Sequence, residues 1–226
     1  MKAHVKMRFA AVGCFLVLTL SATNAMGSVI GIGPGSFPSG SSLINFNGLA
    51  NGTEVNGLTV TGVQFVYSIS GIPTNGALVI DGGPGVTNNV SPPNIVSLGN
   101  PTGTLTMMLP GPATVFGYGF AILTTAPVFT ATTISVFDGA TPLGSISYPA
   151  LVDPLFAGGF AGIESTIPFN RVQATFAGGP AFAVDNIQFA ASSVPEPSTL
   201  ILLASGLAYL PLLVRRGVSG TKERTR

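Results

Sequence analysis

Between residues 26 and 193, apolar side chains tend to recur at every second position. Val63, Phe65, Tyr67 and Ile69 alternate with Gln64, Val66 and Ser68. Leu105, Met107 and Leu109 alternate with Thr106 and Met108, and Ile134 and Val136 flank Ser135. The rhythm returns in Val172, Ala174 and Phe176, and again in Val184, Ile187 and Phe189. A period of two places one set of side chains on the buried face of a strand. Between these runs stand Asn47-Gly48, Asn51-Gly52, Asn56-Gly57, Asn75-Gly76, Asp81-Gly82-Gly83-Pro84 and Asp138-Gly139. Asn-Gly and Asp-Gly accept the positive φ angles of tight hairpin turns. No capped amphipathic helix interrupts the pattern. Many short strands joined by such turns predict an all-β fold, an antiparallel, jelly-roll-like β-sandwich.

The two ends follow other rules. Lys2, Lys6 and Arg8 precede the apolar run Phe9 to Leu20, and small residues Thr23 and Ala25 follow it. That is the layout of a secretory signal peptide over 1–25, removed by signal peptidase after Ala25. The alternative is an uncleaved anchor, but about a dozen apolar residues fall short of the roughly twenty that span a bilayer. Cys14, the only cysteine, lies within this segment. Its removal leaves a mature chain without disulfides, thiolate metal sites or a cysteine nucleophile.

At the other end, Val194-Pro195-Glu196-Pro197-Ser198-Thr199 leads into the apolar stretch Leu200 to Val214. Arg215 and Arg216 follow at once, then Lys222, Arg224 and Arg226 against the single acid Glu223. The prolines cannot donate to a β-ladder and close off any preceding strand. The apolar stretch can enter a membrane as a C-terminal transmembrane helix. The basic residues hold the extreme C-terminus in the cytoplasm, so the middle faces outward. At 1.5 Å per residue the stretch spans about 22 Å, less than a roughly 30 Å hydrocarbon core. A transient, processed anchor fits that length better than a permanent helix, the alternative.

This tail closely resembles the PEP-CTERM sorting tail of exported bacterial proteins. The resemblance is carried by Val194, Pro195, Glu196, Pro197, Ser198 and Thr199, the apolar run after them, and Arg215-Arg216 as the basic stop. It covers roughly the last thirty residues, and the extension from Gly217 to Arg226 departs from tails that end soon after the basic cluster. The resemblance implies a precursor anchored in the inner membrane and read by an exosortase-type protease. It further implies delivery to the envelope or extracellular matrix of a biofilm-forming, exopolysaccharide-producing cell. The segments Leu43 to Leu49, Gly57 to Phe65 and Phe182 to Phe189 look like the first and last strands of sandwich domains found ahead of such tails. Those domains are similar in outline to lectin-like and carbohydrate-binding jelly rolls.

Composition narrows the chemistry of the middle. Residues 26–193 carry Glu54, Asp81, Asp138, Asp153, Glu164 and Asp185 against Arg171 alone, a formal charge of −5. They hold no lysine, histidine or tryptophan, since the only histidine is His4. Ser-His-Asp catalysis lacks its base, and histidine metal sites lack their ligand. Gly31-Ile32-Gly33-Pro34-Gly35 has no lysine and no strand-to-helix context for a phosphate loop. A negative domain repels nucleic acid. The expectation is therefore a protein without enzymatic activity or an obligate cofactor.

Three weaker patterns remain. Tyr67, Tyr118 and Tyr148 could stack on sugar rings, which would make the domain a carbohydrate-binding module in contact with exopolysaccharide; tyrosines at strand spacing also serve cores. Two carboxylates could run glycoside hydrolysis, although Asp81 and Asp138 read as turn residues and Asp153 and Glu164 as loop residues. Extracellular jelly rolls often hold structural calcium through carboxylates and carbonyls. Asp185 and Asn186 of the last strand could meet Asn45 and Asn47 of the first for that purpose. Against this, asparagine stands where related-looking domains are often acidic, and both groups could simply bond to nearby backbone.

Overall fold

A computed structural model describes residues 27–82, 90–97, 99, 103–153 and 156–191. The signal segment 1–25, the sorting motif 194–199, the stretch 200–214 and the basic residues Arg215 and Arg216 lie outside the described residues. So do the two helices expected to flank the domain. Among the described residues, no helix is long and apolar enough to cross a membrane.

The described chain is antiparallel β-structure with one short 3-10 turn at Pro34–Ser36. In chain order the first seven strands are β1 (Val29–Gly31), β2 (Ser42–Ile44), β3 (Thr53–Glu54), β4 (Thr59–Val60), β5 (Val63–Ile69), β6 (Ile72–Pro73) and β7 (Ala77–Ile80). They are followed by β8 (Asn94–Ser97), β9 (Thr104–Ile122), β10 (Val128–Asp138), β11 (Thr141–Asp153), β12 (Phe156–Phe176) and β13 (Phe182–Ala191).

Two long strands organise the fold. β9 and β12 pair with each other over most of their length, and the register shifts between Glu164 and Arg171. On one side of that shift, β9 residues 104–108 lie between β12 and β5, with β10 beyond β12. On the other side, β9 residues 113–122 lie between β12 and β13. β13 then carries β8 and β2 along its far edge, and β8 carries β7 and β3. A bulge bends a strand and increases its twist, so one hydrogen-bonded sheet turns back on itself.

The two halves meet face to face. Phe182 of β13 stacks on Phe176 of β12 with ring centroids 3.8 Å apart and planes at 14°. Tyr67 of β5 reaches Phe182 at 6.1 Å, and Phe46, just after β2, meets Phe65 of β5 at 5.7 Å. These contacts bury Val63, Phe65, Tyr67, Leu105, Met107, Ile134, Val136, Val172 and Ala174 completely. Offset or edge-on aromatic pairs contribute about 0.5–1.5 kcal/mol beyond the area they bury.

The turns follow the chemistry of their residues. Gly48, Gly52, Gly57 and Gly139 adopt positive φ, as their Asn-Gly and Asp-Gly settings predict, whereas Gly76 and Gly82 do not. Two hairpins escape that signature. Thr61-Gly62 joins β4 to β5 and Ser70-Gly71 joins β5 to β6, with φ positive at both residues of each pair. Glu164 lies within β12 opposite Ile30 and Val115, and Asp153 ends β11. The expectation that these two acids belong to loops is corrected: each sits where a strand partner fixes its backbone.

Candidate functional site

Each tyrosine is placed by the phase of its strand. Tyr67 shares the inward phase of Val63 and Phe65 and is fully buried, its hydroxyl hydrogen-bonded to Ser97. Tyr118 is enclosed between the two halves, beside Phe116, Phe120 and Phe176. Burial drives its hydroxyl far above the ordinary tyrosine range. Neither ring offers a face to a ligand, so the assignment of Tyr67 and Tyr118 to glycan stacking is corrected. Tyr148 is half-buried against the core, and its hydroxyl donates to the carbonyl of Gly162. A Cβ at Gly31 would come within 2.9 Å of that hydroxyl, so glycine there makes room for the phenol. Tyr148 serves as a clasp between β11 and the β1–β12 edge.

Among the described residues, the aromatic ring that does face solvent is Phe129, near the start of β10, which is 86% exposed. Val128 pairs with Ala150, and Ala150 is buried. Phe129 and Leu151 therefore project from the opposite, outer surface of the β10–β11 pair, and Leu151 is exposed as well. Nothing in the alternation of the sequence distinguishes this phenylalanine from the buried ones. The bulge between Val128 and Thr132 breaks the phase at that point.

The residues considered for calcium divide into two environments. Asn45 and Asn47 are exposed, and the Oδ1 of Asn45 accepts the backbone N–H of Asn47 at 3.4 Å in a local turn. Ile187 pairs with Ile44, so Asn45 leaves β2 beside Asn186. Asn186 takes φ +48° as the extra residue of a bulge between Asp185 and Gln188. Asparagine is one of the few residues that tolerate this conformation. Asp185 itself turns away from that solvent-facing turn. It is buried, and its Oδ2 accepts the Ser91 backbone N–H at 3.0 Å and the Ser91 hydroxyl at 3.2 Å. Burial pushes its carboxyl above the usual range, opposed by the N–H groups of Asn186 and Ser91 and the Ser91 hydroxyl.

Asn94, the first residue of β8, is the other fully buried polar group on this side. Its Nδ2 donates to the carbonyl of Gly82 at 3.4 Å. The sequence pattern did not single out Asn94, which follows Pro92-Pro93 in a segment without alternation. Among the described residues, no three histidine, cysteine, aspartate or glutamate side chains gather in one place. The exposed acids stand on separate elements: Glu54 in β3, Asp81 just after β7, Asp138 at the end of β10 and Glu164 in β12.

No protein family and no curated protein matches the chain. Several solved structures resemble it in outline. The K2 cleaved adhesin domain of Lys-gingipain aligns at 12% identity over 69% of this chain and 100% of that one, with a TM-score of 0.48. A family 29 carbohydrate-binding module complexed with mannohexaose aligns at 9% identity over 66% of this chain and 89% of that one, with a TM-score of 0.36. The catalytic domain of a GH87 alpha-1,3-glucanase aligns at 13% identity over 64% of this chain and 30% of its own length, with a TM-score of 0.35. Likeness at this level does not establish a family or an activity. The fold assignment stands on the strand pairing itself.

Proposed function

We propose that this chain is an exported, surface-sorted protein without enzymatic activity. Its jelly-roll-like sandwich would serve as a structural or adhesive component of the cell envelope or exopolysaccharide matrix. The observation that carries this reading is the order of Val194 to Thr199, the apolar run 200–214 and Arg215-Arg216, together with the basic-then-apolar layout of Lys2 to Ala25. Signal peptidase and an exosortase-type protease are the processing partners it implies. The intact mass and cell fraction of the protein from its native host test it. A mature chain ending near Pro195-Glu196-Pro197, recovered from the matrix or medium, supports sorting. Replacing those three residues with alanine should then retain the precursor in the inner membrane. A wild-type chain that keeps Arg226 and stays in the inner membrane sinks the proposal.

Exposure of Phe129 favours a second reading, a carbohydrate-binding module. A solvent-facing ring is what stacking on a pyranose face requires, and Phe129 meets that requirement where Tyr67 and Tyr118 do not. Retention on an exopolysaccharide affinity column, lost in Phe129→Ala, would distinguish this reading from a purely structural one.

A further inference from the structure

Strands β8 and β13 run antiparallel, with Ala183 opposite Val96 and Val184 opposite Ile95. The paired register ends there; continued by one residue, it would set Asp185 opposite Asn94. Ile95 and Val184 point into the main core, whereas Ala183 and Val96 belong to a small outer cluster with Val90 and Ala121. Side chains alternate along a strand, so Asn94 and Asp185 emerge together on that outer side. Both are buried, at 0% and 1% exposure.

Each has one buried oxygen that accepts no hydrogen bond of normal geometry, although the Asn186 N–H also acts on the Asp185 carboxylate. Asp185 presents its Oδ2 to Ser91, while its Oδ1 is buried and accepts no hydrogen bond of normal geometry. Asn94 uses its Nδ2 on Gly82, and its Oδ1 is likewise buried without a partner. Turning the amide over would not help, because it would set Oδ1 against the Gly82 carbonyl, acceptor against acceptor. Leaving a buried acceptor unsatisfied costs about 1–3 kcal/mol, and more for a charged group. No cationic side chain answers the need. The one basic residue between residues 26 and 193 is Arg171, whose guanidinium lies over the ring of Phe137 at 4.3 Å.

We propose that Oδ1 of Asp185 and Oδ1 of Asn94 are two ligands of a hard divalent cation of the calcium class, whose shell is completed by backbone carbonyls and water. An all-oxygen donor set suits calcium, which accepts six to eight oxygens in flexible geometry. A single carboxylate places the site among the weak extracellular ones, with dissociation constants of about 10⁻⁴–10⁻³ M. The ion joins β8 and the segment around Ser91 to the bulge of β13. This proposal is independent of how the tail is processed.

The test uses the full chain purified in mild detergent near neutral pH, with thermal unfolding followed in EDTA and in about 5 mM CaCl2. Calcium should raise the wild-type midpoint by about 2–9 °C. Asp185→Asn should abolish that shift while remaining folded in EDTA, since its amide can donate to Asn94 Oδ1. Asn94→Asp supplies a second carboxylate. It should lower the midpoint in EDTA through like-charge repulsion and show a larger calcium shift than wild type. A wild-type midpoint indifferent to calcium would overturn the site, leaving a proton or a water between the two oxygens. A calcium shift that survives in Asp185→Asn would overturn it equally, by placing the ion elsewhere.

Discussion

The hydroxyl of Tyr118 lies 2.6 Å from Oγ1 of Thr132, tying β9 to β10 across the interior. Thr132 spends its one proton on the carbonyl of Thr175 at 3.0 Å. The tyrosine must therefore be the donor, and the three groups form a directed chain in a site that excludes water. Tyr118→Phe removes the donor and leaves a hydroxyl that is still bonded to Thr175, at a cost of about 0.5–1.5 kcal/mol. Thr132→Val strands the phenol without its acceptor and should cost more, about 1–3 kcal/mol. The double variant should be less unstable than the sum of the two, because the orphaned group disappears with its partner. Urea denaturation of the four proteins checks this, and strict additivity would show that the contact contributes nothing.

Glycine matters in β12 for a reason unrelated to turns. A Cβ on Gly158 would sit 2.6 Å from the carbonyl oxygen of Phe120, an atom fixed by its own strand. Gly158→Ala must push two paired strands apart and should cost about 1–3 kcal/mol, the range of overpacked cores. Gly111, in β9, has nothing within 4 Å of the same position. Gly111→Ala should leave the unfolding free energy within about 0.5 kcal/mol of wild type. Equal effects of the two substitutions would contradict the packing described.

Asp185 gives stability a pH dependence with a definite sign in the absence of metal. Its folded pKa lies above the ordinary 3.8, burial being the largest cause. Between 3.8 and the raised value, the folded protein keeps a proton that the unfolded chain has released. The contribution to stability is thus greatest below the unfolded value and is lost as pH rises through the folded one. The neighbouring strands β2, β8 and β9 carry no carboxylate, lysine, arginine or histidine to confuse this titration. In EDTA, the advantage of Asp185→Asn over wild type should grow as pH rises and level off above the folded pKa. Denaturant midpoints from about pH 3 to about pH 8 measure that difference; a constant difference would mean that the carboxyl is not perturbed.

How much of this could be read from the sequence depends on what each strand touches. β5 was legible because it has one buried and one partly exposed face, and Tyr67 could be assigned to the core from its phase with Val63 and Phe65. The bulge of β13 is visible as the three-residue step from Val184 to Ile187, where the period of two fails. The second half of β9 was not legible. Residues 115–122 are buried on both faces, so no alternation marks them, and glycines dilute the apolar run. The hairpins at Thr61-Gly62 and Ser70-Gly71 lack the Asn or Asp that announces such turns. The pairing of β8 with β13 depends on strand order, which no local pattern encodes. The same holds for the turning outward of Asn45 and Asn47.

Phe129 separates contact with ligand from support of the fold. At 86% exposure its ring contributes little to packing, so Phe129→Ala should leave the unfolding free energy within about 0.5 kcal/mol of wild type. If the outer surface of β10 and β11 grips a polysaccharide, the same change should remove a stacking contact of about 0.5–1.5 kcal/mol, a several-fold loss of affinity. Tyr67→Ala offers the opposite profile: a buried aromatic lost from the core, costing about 3–5 kcal/mol whether or not sugar is present. Affinity electrophoresis through host exopolysaccharide, run beside denaturation curves, reads both quantities. Retardation that Phe129→Ala abolishes at unchanged stability would make this surface the glycan contact. Retardation unaffected by that change would remove Phe129 from the binding surface.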